Sequence, residues 1–169
     1  AALNPVRRIG DGIVDTLRAH RAMRRAEARE RAVALLDRVR LPDPVRLIDA
    51  YPHELSGGMC QRAMIAMAIA CEPQLLVADE PTTALDTTTE AAVLALLEEL
   101  VGERGMGLML ITHDLGLAAR HSDRIAVMDG GRLVESGPPG TLFGRPEAPG
   151  TRRLVAATPR VGLRIEDLA

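Results

Sequence analysis

The run Leu75-Leu76-Val77-Ala78-Asp79-Glu80 constrains the fold of this chain more than any other stretch. Four consecutive apolar residues are enough for a strand, and a strand without polar alternation suits a central position in a parallel sheet, covered on both faces. Parallel neighbours cannot be joined by a hairpin, so helices must carry the connections. Pro81 cannot donate to a ladder and marks the strand's exit. Two carboxylates, Asp79 and Glu80, then stand at the end of a buried strand, where such groups suit a metal ion and a water. Upstream, Leu55-Ser56-Gly57-Gly58 leads into an apolar run, and glycine amides at a helix start suit a phosphate. Both devices lie between Leu55 and Asp86, and together they point to nucleotide chemistry.

The flanking sequence supplies the helices. Ile9, Ile13, Val14 and Leu17 recur at helical spacing and predict a helix over residues 9–19. A second is expected over 23–39, with Ala32, Leu35, Leu36 and Val39 inward, before Pro42 and Pro44 make a loop. Ser56 is a reasonable N-cap, although no Glu or Gln three residues on completes a capping box. Gly57 and Gly58 in the first turn cost about 1 kcal/mol each relative to Ala. Close backbone approach to a ligand, or a tight turn alone, would account for them. Residues 63–71 are all apolar, so this helix is buried on most sides.

Thr87-Thr88-Thr89-Glu90 reads as a capping box opening a helix to about Val101, with Val93, Leu94, Leu97 and Leu100 inward. A second apolar strand, 108–112, runs into His113-Asp114, followed by a short helix over 115–120 and a third strand over 124–128. Asp129-Gly130-Gly131 is a hairpin turn into 132–135. Prolines crowd the sequence after Gly137, which predicts a loosely structured extension with short helices near 140–143 and 151–156. Strands alternating with helices give an α/β fold with a largely parallel sheet.

Composition narrows the chemistry. The 169 residues are about one domain, and the core must be aliphatic because Tyr51 and Phe143 are the only aromatics. A formal charge of −2 gives no global argument for nucleic acid or an anionic membrane. All 21 basic residues are Arg, so the lysine of a phosphate-binding P-loop, G-x-x-x-x-G-K-S/T, is missing from these residues. Eight Arg stand against three acids between Arg18 and Arg40. A solvated helix with pairs such as Glu27–Arg31 explains them better than a polyanion-binding face, since no aromatic interleaves. Cys60 and Cys71 fall about 16 Å apart along one helix, too far for a disulfide, and read as two small buried thiols. His20, His53 and His121 read as ordinary, and Tyr51 as a packing residue. No apolar run reaches the ~18 residues of a membrane-spanning helix. The opening Ala1-Ala2-Leu3-Asn4-Pro5, without an initiator Met, is expected to lie inside something longer.

Four motifs now carry a resemblance. LSGGMCQR at 55–62 resembles the signature of ATP-binding cassette (ABC) ATPases, and LLVADE at 75–80 their Walker B strand. TALD at 83–86 resembles the D-loop, and ITHD at 111–114 the switch-histidine loop. Order and spacing match as well. ALNP at 2–5, YPHELSGGM at 51–59, DEPTTALD at 79–86 and P-x-T-x-x-L at 149–154 resemble the oligopeptide and dipeptide importer branch, some features of which nickel importers share. Cys60 stands where relatives usually carry a basic residue, Thr87 where Val is usual, and Gly150 where Tyr is usual.

The resemblance implies a P-loop NTPase-like core with a partial parallel sheet and flanking helices, plus an α-helical signature subdomain. The implied division is 1–72 for that subdomain, 73–137 for a partial RecA-like catalytic core, and 138–169 for an importer-type extension. It implies ATP and Mg²⁺, with Asp79 holding the metal through its water shell, Glu80 as general base and His113 at the γ-phosphate. Leu55, Ser56, Gly57, Gly58, Met59 and Gln61 would contact the nucleotide of a second ATPase subunit paired head-to-tail, and Asp86 would act across that interface or cap a helix. Residues 6–50 would dock a transmembrane permease at the cytoplasmic face of the membrane, serving indirectly a solute-binding protein that delivers peptides or a similar small solute. No nucleic acid is expected. A naturally truncated, non-catalytic subunit is the alternative, separable by whether a P-loop is encoded upstream. Without a P-loop strand an apolar sheet edge is left unpaired, so the isolated chain is expected to be poorly soluble.

Overall fold

A computed structural model describes residues 3–157. The packing divides into two compact units, one ending at Met109 and the other starting at Leu110.

The first unit opens with α1 (Ile9–His20) and α2 (Arg25–Arg38). The expected stripe of α1 is buried: Ile9, Ile13, Val14 and Leu17. In α2 the inward residues are Ala28, Ala32 and Leu36, with Val39 just past the end. Leu35 was expected beside them but is only half-buried, because a step of about 100° per residue carries it to the flank of that stripe. Pro44 does not extend a loop. It begins a short helix, α3 (Pro44–Leu47), where a missing N–H costs nothing, and Asp43 caps it by accepting from the Arg46 amide at 3.3 Å.

α4 (Gly57–Ile69) packs against α1 and α2, and α5 (Thr87–Arg104) packs against α4. Val93, Leu96, Leu97 and Leu100 of α5 join Ala63, Ile65, Ala66 and Ile69 of α4 in one aliphatic core. Each fully buried Leu contributes about 2 kcal/mol of transfer free energy. α4 stops at Ile69, so Cys71 lies beyond it, and both cysteines are half-buried rather than buried as expected. They are free thiols, Cys60 donating to the Pro52 carbonyl and Cys71 to that of Thr16.

The four arginines of α2 each have a carboxylate partner. Arg31 pairs with Glu27 at 3.2 Å, Arg25 with Asp11 at 3.0 Å and Arg29 with Asp49 at 2.6 Å. Arg38 and Arg40 pair with Glu103 and Glu99 of α5. Exposed pairs stabilise by at most about 1 kcal/mol each. Six of the eight arginines between Arg18 and Arg40 are thus paired with carboxylates, Arg21 with Glu72 among them.

β1 (Leu75–Asp79) and β2 (Gly107–Ile111) form a two-stranded sheet joined through α5, the crossover that parallel strands require. Leu76, Ala78 and Leu108 turn inward onto the helical core. Leu75 (55% exposed), Val77 (54%) and Met109 (52%) turn outward, and Ile111 follows their alternation. The expectation that β1 is covered on both faces is therefore corrected. The first unit places helices over one face only, and the residues' period of two leaves the other apolar and bare.

The second unit holds α6 (Leu115–His121), β3 (Ile125–Asp129), β4 (Arg132–Gly137), α7 (Pro139–Gly144) and α8 (Pro149–Ala157). β3 and β4 are antiparallel and turn through Gly130 and Gly131, whose φ values of 56° and 75° match the twist of a tight hairpin. The extension is better built than expected. Its two short helices form, and the Glu135 carboxylate on β4 accepts from the Glu147 and Ala148 amides at 3.0 and 2.9 Å, just ahead of α8. Asp129 adds an ion pair to Arg153 at 3.0 Å. Residues 158–169 of the expected extension lie outside the described residues. Among the described residues no helix is long and apolar enough to cross a membrane.

Two outcomes follow from this packing. Leu97→Ala is expected to lower unfolding stability by about 3 kcal/mol, measured by denaturant titration, because the 1%-exposed side chain leaves a cavity between α4 and α5. The isolated chain should self-associate through the bare β1–β2 face, and Val77→Thr with Met109→Gln should raise its soluble fraction. Unchanged sedimentation of the double variant would contradict that assignment.

Candidate functional site

The signature stretch enters α4 through Ser56. Its extended backbone (φ −68°, ψ 161°) and its side chain, which accepts from the Met59 amide at 3.3 Å, make it the N-cap expected. Ser56 and Gly57 are exposed, whereas Leu55, Met59 and Gln61 are half-buried.

The two glycines have different reasons. Neither has a positive φ, so a tight turn does not explain them. A Cβ on Gly58 would lie 2.4 Å from Thr89 Cγ2, a distance that no packed pair tolerates. A Cβ on Gly57 would meet Leu85 Cδ2 at 3.5 Å, an ordinary contact. Packing within the chain therefore demands glycine at 58 and leaves the glycine at 57 unexplained.

Thr89 belongs to the first turn of α5, and its position is set by Asp86. The expected capping box at Thr87 is corrected here, because Asp86 is the N-cap. Asp86 Oδ1 accepts from the amides of Thr88 and Thr89 at 3.1 and 3.0 Å, and Oδ2 accepts from Thr89 Oγ1 at 2.7 Å. An ionised carboxylate satisfies these donors better than a threonine hydroxyl, and it also faces the positive end of the helix. The Thr89 hydroxyl, followed by the backbone amides, holds the Asp86 carboxyl below the usual carboxylate range.

The paired carboxylates end β1. Asp79 is the last strand residue, and Glu80 follows with φ 45°. A left-handed conformation costs a non-glycine residue about 1–2 kcal/mol. Two bonds from Thr83 hold it, hydroxyl to Glu80 Oε2 at 2.9 Å and amide to the Glu80 carbonyl at 3.3 Å. Ala84, also left-handed at φ 66°, lets the chain turn back into Asp86. Both carboxylates are exposed. Among the described residues no three or more His, Cys, Asp or Glu gather as a metal cage.

His113 lies in the second unit, exposed, between β2 and α6. The turn around it is ordered by Thr112, whose hydroxyl accepts from the Asp114 amide at 3.0 Å, and by Asp114, which caps α6 through the Leu117 amide at 3.0 Å. Tyr51 stacks on His53 with ring centroids 5.6 Å apart, in keeping with a packing role.

Sequence reasoning missed Thr83 and Thr89. Both stand three residues after a carboxylate that their hydroxyl then bonds, a local signal hidden inside runs read as loop and capping box.

The family model described as ABC transporter matches residues 6–83. A Brucella melitensis biotype 1 protein, named for peptide import and ATP binding, is 54% identical over 95% of this chain and 48% of its own length. A similarly named Brucella abortus (strain 2308) protein is 52% identical over 93% of this chain and 47% of its own. The chain thus spans about half the length of these curated relatives. A dimeric, post-hydrolysis structure of the ATP-binding cassette MJ0796 bound to ADP and Pi superposes with TM-score 0.68 at 32% identity, covering 80% of this chain and 58% of that one. A second dimeric structure of the same cassette gives TM-score 0.68 at 33% identity.

The acid side of the Asp86 cap is testable. Its folded pKa is depressed, so the stability it contributes is complete above the ordinary carboxylate range and is lost as pH falls through the lower folded value. Asp86→Ala is expected to lower the thermal midpoint at pH 7, and the gap from the parent should close as pH drops below about 4. A gap independent of pH between 7 and 2 would rule out the charged cap.

Proposed function

This chain belongs to the ABC transporter ATP-binding family, and from that premise we propose that it is part of the ATP-hydrolysing subunit of an importer for peptides or a similar small solute. The observation that carries the reading is the turn after β1, where a strained Glu80 is held beside Asp79 at the end of the strand. Strain held by two specific bonds at a paired carboxylate is characteristic of reactive sites.

Hydrolysis of ATP is phosphoryl transfer to water, which needs positioning and charge neutralisation more than covalent chemistry. Glu80 is the general base, taking the proton of the attacking water, and Thr83 fixes one oxygen of its carboxylate. His113 steadies the γ-phosphate. Asp79 is a single exposed carboxylate, a donor that fits a Mg²⁺ retaining most of its waters rather than one caged by protein. When bound, Mg²⁺ supplies neutralisation of charge on the phosphate oxygens.

Ser56, Gly57 and Gly58 form a second half-site, aided by Leu55, Met59 and Gln61, that closes on the nucleotide of a partner ATPase subunit in head-to-tail fashion. Two features support it: the helix start is exposed at Ser56 and Gly57, and among the described residues nothing closer than Leu85 Cδ2, at an ordinary 3.5 Å, would meet a Cβ at 57. A close approach by a phosphate supplies a reason for glycine there. Asp86 lies beside this half-site and acts at the same interface. The solved neighbour's dimeric state agrees with such pairing.

The functional division is 1–72 for the signature subdomain, 73–137 for the catalytic core and 138–169 for the extension. Residues 6–50 dock the permease, placing the subunit at the cytoplasmic face of the membrane, with a solute-binding protein delivering the cargo. A P-loop comes from outside these 169 residues, which contain no Lys. The isolated chain is therefore expected to bind Mg-ATP weakly and not to turn it over, and micromolar affinity by calorimetry would contradict the two-half-site reading. In the full-length subunit, Glu80→Gln is expected to lower kcat about 100-fold or more while ATP still binds. Near-normal turnover of that variant would remove Glu80 from the role of base.

A further inference from the structure

We propose that Thr89 is a positioning residue that sets the Ser56–Gly58 half-site from the D-loop side, through its methyl group against Gly58 and its hydroxyl on Asp86. The inference rests on the reading of Ser56–Gly58 as a nucleotide half-site, and adds a residue that none of the four motifs contains.

A threonine side chain has two branches, and once one is bound the other has a fixed direction. Thr89 Oγ1 is bound to Asp86 Oδ2 at 2.7 Å. Its Cγ2 is thereby aimed at the first turn of α4, where it fills the space a Cβ on Gly58 would need, 2.4 Å away. The next atoms of Thr89 stand back, with Cβ at 3.8 Å and Oγ1 at 4.0 Å from that point. One methyl group therefore decides how closely α4 and α5 approach at their N-termini. Leu85, in the loop just before α5, is a second contact, 3.5 Å from the equivalent point on Gly57.

This arrangement links two elements far apart in sequence. The Asp86 carboxylate has three donors in hand, all from the first turn of α5. If a group from a partner chain draws Asp86 away, the Thr89 hydroxyl loses its acceptor and its methyl loses its fixed direction. The Ser56-Gly57-Gly58 turn then loses its backstop. The half-site that reaches for the partner's nucleotide is thus set by the residue that senses the partner.

The test is a size exchange in the full-length subunit, with ATP turnover and nucleotide-free thermal unfolding measured on each variant. Gly58→Ala should lower kcat about 10-fold or more, because the added methyl meets Thr89 Cγ2. Adding Thr89→Ser removes that atom and keeps the hydroxyl on Asp86, and the double variant should recover about half or more of the lost turnover. Thr89→Val, which keeps the branch and drops the hydroxyl bond, should lower kcat about 3-fold or more with unfolding little changed. A double variant no more active than Gly58→Ala would overturn the proposal, even if its unfolding midpoint recovers, because glycine would then be needed by the ligand and not by Thr89. Wild-type turnover by Thr89→Val would overturn the Asp86 link. A full-length parent that fails to hydrolyse ATP would overturn the ATPase reading and this role with it, whereas an active parent with an unrescued pair overturns the positioning role alone.

Discussion

A single carboxylate, that of Asp86, organises the junction on which the candidate site depends. It closes the first turn of α5 by taking two backbone amides, and it holds the Thr89 hydroxyl at the same time. An N-cap ordinarily serves its own helix. Here the third bond carries the effect outward, because the other branch of Thr89 is the surface on which Gly58 rests. The start of α4, the start of α5 and the loop between β1 and α5 therefore meet at one junction, with an exposed charge on its surface.

The same short loop holds the strain. Between Asp79 and Asp86 the backbone passes twice through left-handed geometry, at Glu80 and at Ala84, with a buried Pro81 between them. Neither residue is glycine, so each visit costs free energy that its surroundings must offset. At Glu80 the offset is visible as two bonds from Thr83. The exposed carboxylate is thus held in one direction by the fold.

The helices supply rigidity beneath this loop. An all-aliphatic core, shared by α1, α2, α4 and α5, holds the signature turn and the strand end on one support. Because every basic residue is Arg, the surface of the helical cluster is laced by guanidinium–carboxylate pairs, two of which tie α2 and the residues just past it to the last turns of α5. The outward face of β1 and β2 has no such cover and stays apolar.

The helices of the fold were legible in the sequence because periodicity reports burial directly: Ile9, Ile13, Val14 and Leu17 could share a face in no other regular structure. The hairpin at Gly130–Gly131 was legible for a similar reason, since two consecutive left-handed residues leave few alternatives. Asp79, Glu80 and Ser56 could also be placed, because a strand end and a helix cap are local features. What the sequence could not decide was which atoms meet across long separations. Whether Thr87 or Asp86 caps α5 turned on competition between neighbouring acceptors, and the ionised one with more lone pairs took the donors. Leu75 and Val77 read as buried because an apolar run carries no mark of which face its neighbours cover. The reason for Gly58 lies 31 residues away in the methyl of Thr89, and only the tertiary structure brings those two atoms close enough to exclude each other.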